Sequence, residues 1–166
     1  RSSAMAGAAK AELELEVRVA TEADRDDVLG ECSEQVFNGH DYLPKVWDDW
    51  MADPTRTSYV VVDKVTGRAV AFESMGDFDS GRTKMLQALR VSPTMRGRGI
   101  SKLLGAHTKA EVEKSGAERV RVSSHCKEDD GVTDNFSFTS HLKQGYVEIA
   151  RYSESLVVLE ADEPHG

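Results

Sequence analysis

The stretch Leu89-Arg90-Val91-Ser92-Pro93-Thr94-Met95-Arg96-Gly97-Arg98-Gly99-Ile100-Ser101 decides how this chain is read. Strand-forming residues run to Val91, Pro93 ends the run, and a short loop with two glycines opens an amphipathic helix. The first N–H groups of such a helix have no intrahelical partner, and the helix dipole favours negative charge in front of them. Glycine lets a ligand approach that backbone with no Cβ in the way. Arg90, Arg96, Arg98 and Lys102 are basic and no acidic residue lies among them, in a chain of net charge −8. The combination predicts a cradle for a phosphate or pyrophosphate, fed by local positive charge. It is not a Walker A loop, because no Gly-Lys-Ser/Thr follows, and its spacing departs from the dinucleotide fingerprint. The plainer alternative is an exposed helix start that binds nothing.

Outward from this stretch the pattern is regular. Ile100, Leu103, Leu104, His107 and Ala110 share one helical face, and Ser115-Gly116 stops the helix. Upstream, Thr57–Asp63, Arg68–Met75 and Thr83–Val91 read as three strands joined by turns at Lys64–Gly67 and Asp79–Gly81, an antiparallel meander. Leu13, Leu15, Val17 and Val19 alternate with charged residues and predict a half-buried first strand. Thr21 and Asp24 predict the capped start of a helix reaching about Val36, broken by Phe37–Asp41. A second helix follows Pro44 and carries Val46, Trp47, Trp50 and Met51 toward the sheet, ending at Asp53-Pro54. Downstream come a strand at Glu118–Ser124, a charged loop at Lys127–Gly131, a short helix from Asp134 to Lys143, and strands at Gly145–Tyr152 and Ser155–Leu159. The order predicts the α/β class: one mixed, mostly antiparallel sheet with flanking helices in a domain over 12–161, between a disordered segment 1–11 and a tail 162–166. Arg1 to Ala4 precede Met5 and resemble a vector-derived remnant.

A chain of 166 residues is about one domain and buries a core without disulfides or a structural metal. The acidic balance argues against a nucleic-acid or anionic-membrane binder. No apolar run approaches the roughly 20 residues that span a bilayer, and no secretory leader is expected. Cys32 and Cys126 have neither disulfide-framework nor metal-ligand spacing, so a reducing, cytoplasmic setting and no metal site are expected. Cys126 beside His125 lacks a third group to orient a nucleophilic pair. His107, on an apolar helix face, reads as a core residue. Glu73 interrupts the apolar run Val70-Ala71-Phe72. It is either a base or ammonium anchor, or an inert carboxylate on a solvated strand face.

The segment Arg96-Gly97-Arg98-Gly99-Ile100-Ser101 resembles the Q/R-x-x-G-x-G/A signature of the GNAT superfamily of acetyl-CoA-dependent N-acyltransferases, with Ser101 where Gly or Ala is usual. The element order resembles that fold from about Val17 to Leu159. Tyr42-Leu43-Pro44, Asp53-Pro54-x-Arg56, Ala71-x-Glu73-Ser74, Leu89-Arg90-Val91-x-Pro93 and Lys143-Gln144-Gly145 resemble the histidine N-acetyltransferase group within it. The resemblance implies acetyl-CoA as co-substrate and a small-molecule amine or amino acid, histidine first, as acceptor. It implies that the backbone of Leu89, Arg90 and Val91 pairs with the pantetheine arm and polarises the thioester carbonyl. It also implies that the amides from Arg96 to Ser101 hold the pyrophosphate.

The strand ending at Ser123-Ser124 would splay from Val91 to leave the thioester slot, with Ser123 and Tyr42 at the acceptor. Asn135 stands where the family binds the pantetheine arm, although N-terminal capping of its helix explains it equally well. His141 stands four residues before Gly145-Tyr146, where many members place a tyrosine acid. It is a proton donor or a surface histidine. Two other readings stay open, a catalytically silent acyl-CoA-binding module and a lysine or N-terminal protein acetyltransferase. The sequence leaves the oligomeric state open.

Overall fold

The computed structural model describes residues 13–33 and 36–123 and, in a second compact unit, residues 141, 143–147 and 149. The expected segment 1–11, His125, Cys126, loop 127–131, Asn135, strand 155–159 and tail 162–166 lie outside the described residues.

Five strands form one sheet in the order β1 (Leu15–Val19), β2 (Arg56–Asp63), β3 (Arg68–Phe78), β4 (Thr83–Val91) and β5 (Arg119–Val122). β1 to β4 pair antiparallel and β5 adds parallel to β4, so the sheet is mixed and mostly antiparallel as expected. The parallel step needs a crossover, supplied by helix α2 (Ile100–Ser115). Helix α1 (Leu43–Ala52) lies on the opposite face. The tight turn from β3 to β4 has Asp79, Ser80 and Gly81 at positive φ.

Two apolar layers flank the sheet. On the α2 side Tyr59, Val61, Ala71, Met75 and Leu86 pack against Met95, Ile100, Leu104 and Val112. On the α1 side Val60, Val62, Ala69, Phe72 and Ala88 pack against Val28, Leu43 and Trp47. Trp47 is fully buried with its ring 5.3 Å from that of Phe72, the role expected of it. β3 is sandwiched, and Ala69 to Gly76 are all buried. No described helix is long and apolar enough to cross a membrane.

Three details differ from the sequence reading. The helix expected from Thr21 to Val36 is a 3-10 turn (Glu22–Asp24), a π-helical segment (Asp27–Cys32) and a further 3-10 turn (Val36–Gly39). The capping box at Thr21 and Asp24 is present. Beyond it, Gly30 weakens an α-helix by about 1 kcal/mol, and tertiary ties set the path. Asp27 accepts from Arg68 Nε (2.8 Å) and from the Ala69 N–H (2.9 Å). The buried stripe of α2 is Ile100, Leu104, Thr108 and Val112, a strict four-residue spacing, and Leu103 is exposed. Val19 is exposed on β1, the outer strand of the described sheet, although it stands opposite the buried Tyr59.

α1 is tied to β4 by a buried ion pair. Arg90 donates from Nε and Nη2 to the two oxygens of Asp41 at 3.0 and 2.9 Å, and both side chains are more than nine-tenths buried. Burial pushes the Asp41 carboxyl up, but the Arg90 hydrogen bonds and charge, with the Leu43 N–H and the Ser33 hydroxyl, together outweigh it and hold the group below the ordinary carboxylate range. Removing one partner of such a pair strands the other charge. Asp41→Ala is expected to lower the unfolding free energy by about 3–5 kcal/mol, read by urea denaturation at neutral pH. A loss under about 1 kcal/mol would show that the pair does not hold α1.

Candidate active site

β4 is irregular where the sequence suggested chemistry. Phe72 is opposite Arg90 and Ser74 is opposite Gln87, so Ala88 and Leu89 together face Glu73. This is a β-bulge, and Ala88 takes φ +57, a conformation that costs a non-glycine residue energy. Pairing with β5 runs from Thr83–Arg119 to Leu86–Val122 and stops. From Gln87 to Val91, β4 therefore presents an edge without a β5 partner among the described residues.

The chain leaves this edge into the expected cradle. The Ser92 N–H donates to Val70 O at 2.9 Å, and the Ser92 hydroxyl donates to Glu31 of the π-helical segment. Pro93–Met95 form one 3-10 turn that buries Met95. Arg96 Nε donates to Val91 O at 3.2 Å and braces the loop. Gly97 and Gly99 have φ of +73 and +82, and an added Cβ at either would meet no atom within 4 Å. Glycine is needed there for the backbone path, and the space above it is open. The first helical bond of α2 runs from the Leu103 N–H to Gly99 O, so the N–H groups of Ile100, Ser101 and Lys102 have no partner within the helix. The Ile100 side chain is a core anchor that fixes this end of α2. Arg96, Arg98, Ser101 and Lys102 are exposed around it. Arg90 drops out of the basic set because Asp41 neutralises its guanidinium.

Glu73 is 6% exposed, which removes the solvated-face reading. It points to the α2 side, where the buried Thr108 hydroxyl donates to its Oε2 at 2.9 Å. Burial pushes the Glu73 carboxyl up to about 7, and the Thr108 hydrogen bond pulls the other way. A carboxyl that titrates near neutrality is suited to moving a proton.

Opposite, on the α1 side, lies a polar cluster of which the sequence reading singled out Tyr42 alone. The Arg56 guanidinium stacks 4.0 Å above the Trp50 ring. Its Nη1 donates to Ser74 Oγ (3.0 Å), and Nη1 and Nη2 both donate to Gln87 Oε1 (3.1 Å). Ser58 Oγ donates to Ser74 Oγ at 3.0 Å. A Cβ on Gly76 would lie 2.9 Å from Arg56 Nη2, so glycine makes the room. Tyr42 stands edge-on to Trp50 at 6.0 Å, with Arg90 5.5 Å from its ring. Its hydroxyl hydrogen-bonds with Arg90 and the backbone of Ala88, so Tyr42 reaches the bulge. Arg56 entered the sequence reading only within the run Asp53-Pro54-x-Arg56, which carries no local signal of these partners.

The remaining candidates separate. Ser123 directly follows β5 and is exposed. His107 is half-buried, edge-on to Tyr59 at 5.0 Å. Cys32 is buried, and burial, then the neighbouring Glu31 charge, pushes its thiol up to about 12. In the second unit the N–H groups of Gln144 and Tyr146 both donate to His141 O, and Gly145 has φ +90, the signature of a helix C-terminus. The His141 ring is edge-on to Tyr146 at 5.4 Å, and burial pushes its imidazole below the ordinary histidine value. Among the described residues no group of three histidine, cysteine, aspartate or glutamate side chains is placed to hold a metal.

A bulged central strand, an open β4 edge and a glycine-rich helix start on one crossover define an acyltransferase architecture. The acetyltransferase (GNAT) family profile matches residues 25–136, which include all three, and the chain belongs to this family. A histidine N-acetyltransferase from Oreochromis niloticus is 33% identical over 143 residues, 86% of this chain and 41% of that protein. A human protein described as probable N-acetyltransferase 16 is 42% identical over 90 residues, 54% of this chain and 24% of its own length. The chain thus spans less than half the length of these curated relatives. An acetyltransferase structure from Trypanosoma brucei, 22% identical, shares the fold with a TM-score of 0.61, over 89% of this chain and 100% of that one.

The raised Glu73 pKa has a consequence for stability. The folded state holds this proton more tightly than the unfolded chain, whose carboxyl titrates near the ordinary 4.5. Stability therefore falls as pH rises from about 4.5 to about 7 and levels off above. Glu73→Gln removes that term. It is expected to raise the unfolding free energy by roughly 1–3 kcal/mol at pH 8 and to have little effect at pH 4. Equal effects at both pH values in chemical denaturation would contradict a buried, titrating carboxyl.

Proposed function

We propose that the chain moves the acetyl group of acetyl-CoA to the amine of a small molecule, with histidine the first acceptor to test, by direct attack in a ternary complex. The observation that carries this reading is the continuity between the open edge of β4 from Gln87 to Val91 and the glycine path into the N-terminus of α2. An extended amide-bearing arm can add to such an edge as a strand does. A pyrophosphate suits exposed helical N–H groups flanked by arginines. The names of the curated relatives support an amino-acid acceptor.

In this reading the backbone of Leu89, Arg90 and Val91 holds the pantetheine arm, and an N–H group of this edge polarises the thioester carbonyl. The amides from Arg96 to Ser101 hold the pyrophosphate, with Arg96 and Arg98 beside it. Ser123 borders the slot next to the acceptor. The neutral amine attacks the thioester carbon, the new C–N bond replaces the C–S bond, and coenzyme A leaves as thiolate. The proton shed by the amine passes to Glu73, by way of water in the slot because the carboxyl faces α2.

A donor role for His141 meets an opposing constraint. Glu73 is ionised only above about 7, whereas the His141 imidazolium loses its proton below the ordinary histidine range. The doubly competent form is therefore scarce at any pH. His141→Ala is expected to change turnover by less than about 3-fold and to leave the pH profile intact. Loss of a basic limb in that variant would install His141 as the acid.

The test is release of coenzyme A by the purified chain with free histidine, other amino acids, polyamines and a lysine peptide. Turnover with histidine and little with the peptide is expected, and its reverse would move the assignment to a protein acetyltransferase. Gly99→Val, which forces a β-branched residue into φ +82, should weaken acetyl-CoA binding by about 10-fold or more while the domain stays folded. Acetyl-CoA affinity without acetyl transfer to any amine would identify a binding module. Glu73→Gln should cut turnover by about 10²-fold or more and spare acetyl-CoA affinity, and a normal rate would limit Glu73 to its buried structural role.

A further inference from the structure

Arg56 is out of step with the other half-buried cations of this molecule. Arg18 is paired with Asp24, Lys84 with Asp77 and Arg90 with Asp41. Among the described residues no carboxylate lies within ion-pair distance of Arg56. Its Nε is buried and donates to nothing. An orphaned buried donor is costly, more so when charged, so this position is unfavourable unless something else engages it.

The guanidinium is also held still. The Trp50 ring covers one face, the Gly76 backbone leaves room on the other, and Ser74 and Gln87 fix its far end. Gln87 Oε1 takes hydrogens from Nη1 and Nη2, the end-on edge of the fork. What remains is the side-on edge formed by Nε–H and the second Nη2–H, which carboxylates take with two parallel bonds. Location adds the rest. Gln87 is the residue immediately before Ala88, so the guanidinium sits one residue from the bulge. It shares the α1 side of the sheet with Tyr42, whose hydroxyl reaches the Ala88 backbone. On the same face a groove of about 230 Å³, lined by Phe78, Asp79, Thr83, Met85, Gln87 and Arg121, gives space for a side chain.

We propose that Arg56, seated on Trp50 and steered by Gln87 and Ser74, binds the α-carboxylate of the acceptor and thereby selects free amino acids over amines that lack one. The inference rests on the acetyl-transfer reading for the direction in which the amine points. An α-amine is two bonds from its carboxylate carbon, so a carboxylate held by Arg56 places the amine beside the bulge. A polyamine or a lysine side chain has no carboxylate at that distance. Arg56 is here a specificity residue and takes no part in bond making.

The experiment pairs L-histidine with histamine and L-phenylalanine with phenethylamine as acceptors for the wild-type chain, Arg56→Gln and Gln87→Glu. Gln87→Glu keeps the side-chain shape and supplies an internal counter-charge, so it tests the idea even if Arg56→Gln folds poorly. The wild type is expected to favour each amino acid over its amine by about 10²-fold or more in kcat/KM. Both variants should raise the amino-acid KM by about 10²-fold, leave the KM for acetyl-CoA unchanged, and bring the preference close to one. Equal use of amino acid and amine by the wild type, or a preference that survives both substitutions, overturns the proposal. If no amine is acetylated the catalytic reading fails, and calorimetric binding of the same four compounds then decides the anchor. Carboxylate-dependent binding that Arg56→Gln abolishes sustains it, and no such binding by the wild type overturns it.

Discussion

Among the described residues β4 has two neighbours for its first half and one for its second, and much of the molecule follows from that inequality. Beside β3 it is paired from end to end, but the bulge puts Ala88 and Leu89 against Glu73 alone. Beside β5 the pairing ends at Leu86. Backbone N–H and C=O groups left on such an edge require partners. An extended ligand with amides of its own meets the need as well as water does and binds in doing so. The strained φ of Ala88 persists because Trp47 and Phe72 pack beside it and the Arg90–Asp41 pair fixes the strand just beyond. The π-helical segment adds a second brace through Glu31 and Ser92 at the point where β4 becomes the loop.

The two faces of the sheet divide the chemistry. The α2 face holds a carboxyl whose environment resists ionisation, satisfied by one hydroxyl from the helix above it. The α1 face holds the cations and the aromatic rings, Arg90 and Arg56 with Tyr42 and Trp50. β3 lies between the two sets and supplies Glu73 to one and Ser74 to the other. The alternation of side chains along a strand thus places a buried carboxyl and an arginine-bound hydroxyl back to back.

Much of this architecture was legible in the sequence. The β2–β4 meander follows from β-branched runs between turn residues, and the boundaries of β4 and α2 match the reading almost to the residue. Gly97 and Gly99, read as the opening of a helix, adopt left-handed conformations there. Three things were not legible. Alternation could not decide whether Glu73 was buried, because β3 is covered on both faces and its pattern has no solvent side. The helix after Thr21 gave way to 3-10 and π turns because contacts from Asp27 to β3 outweigh a weak local preference. Arg90 looked like part of a basic funnel, and Arg56 entered only within the family-like run Asp53-Pro54-x-Arg56. Their partners stand 49 and 31 residues away, at Asp41 and Gln87, a separation that no local pattern encodes.

Cys32 lies beneath the root of the cradle, close to the backbone of Ser92, with its thiol pushed up to about 12. At any physiological pH the sulfur is protonated and shielded, so neither alkylating reagents nor peroxide find a thiolate to react with. Reaction at this sulfur requires the Glu31–Ser92 contact to part and the π-helical segment to lift. The rate of Cys32 labelling in native protein therefore reads the opening free energy of the segment under the β4–α2 loop, a built-in clock for local unfolding.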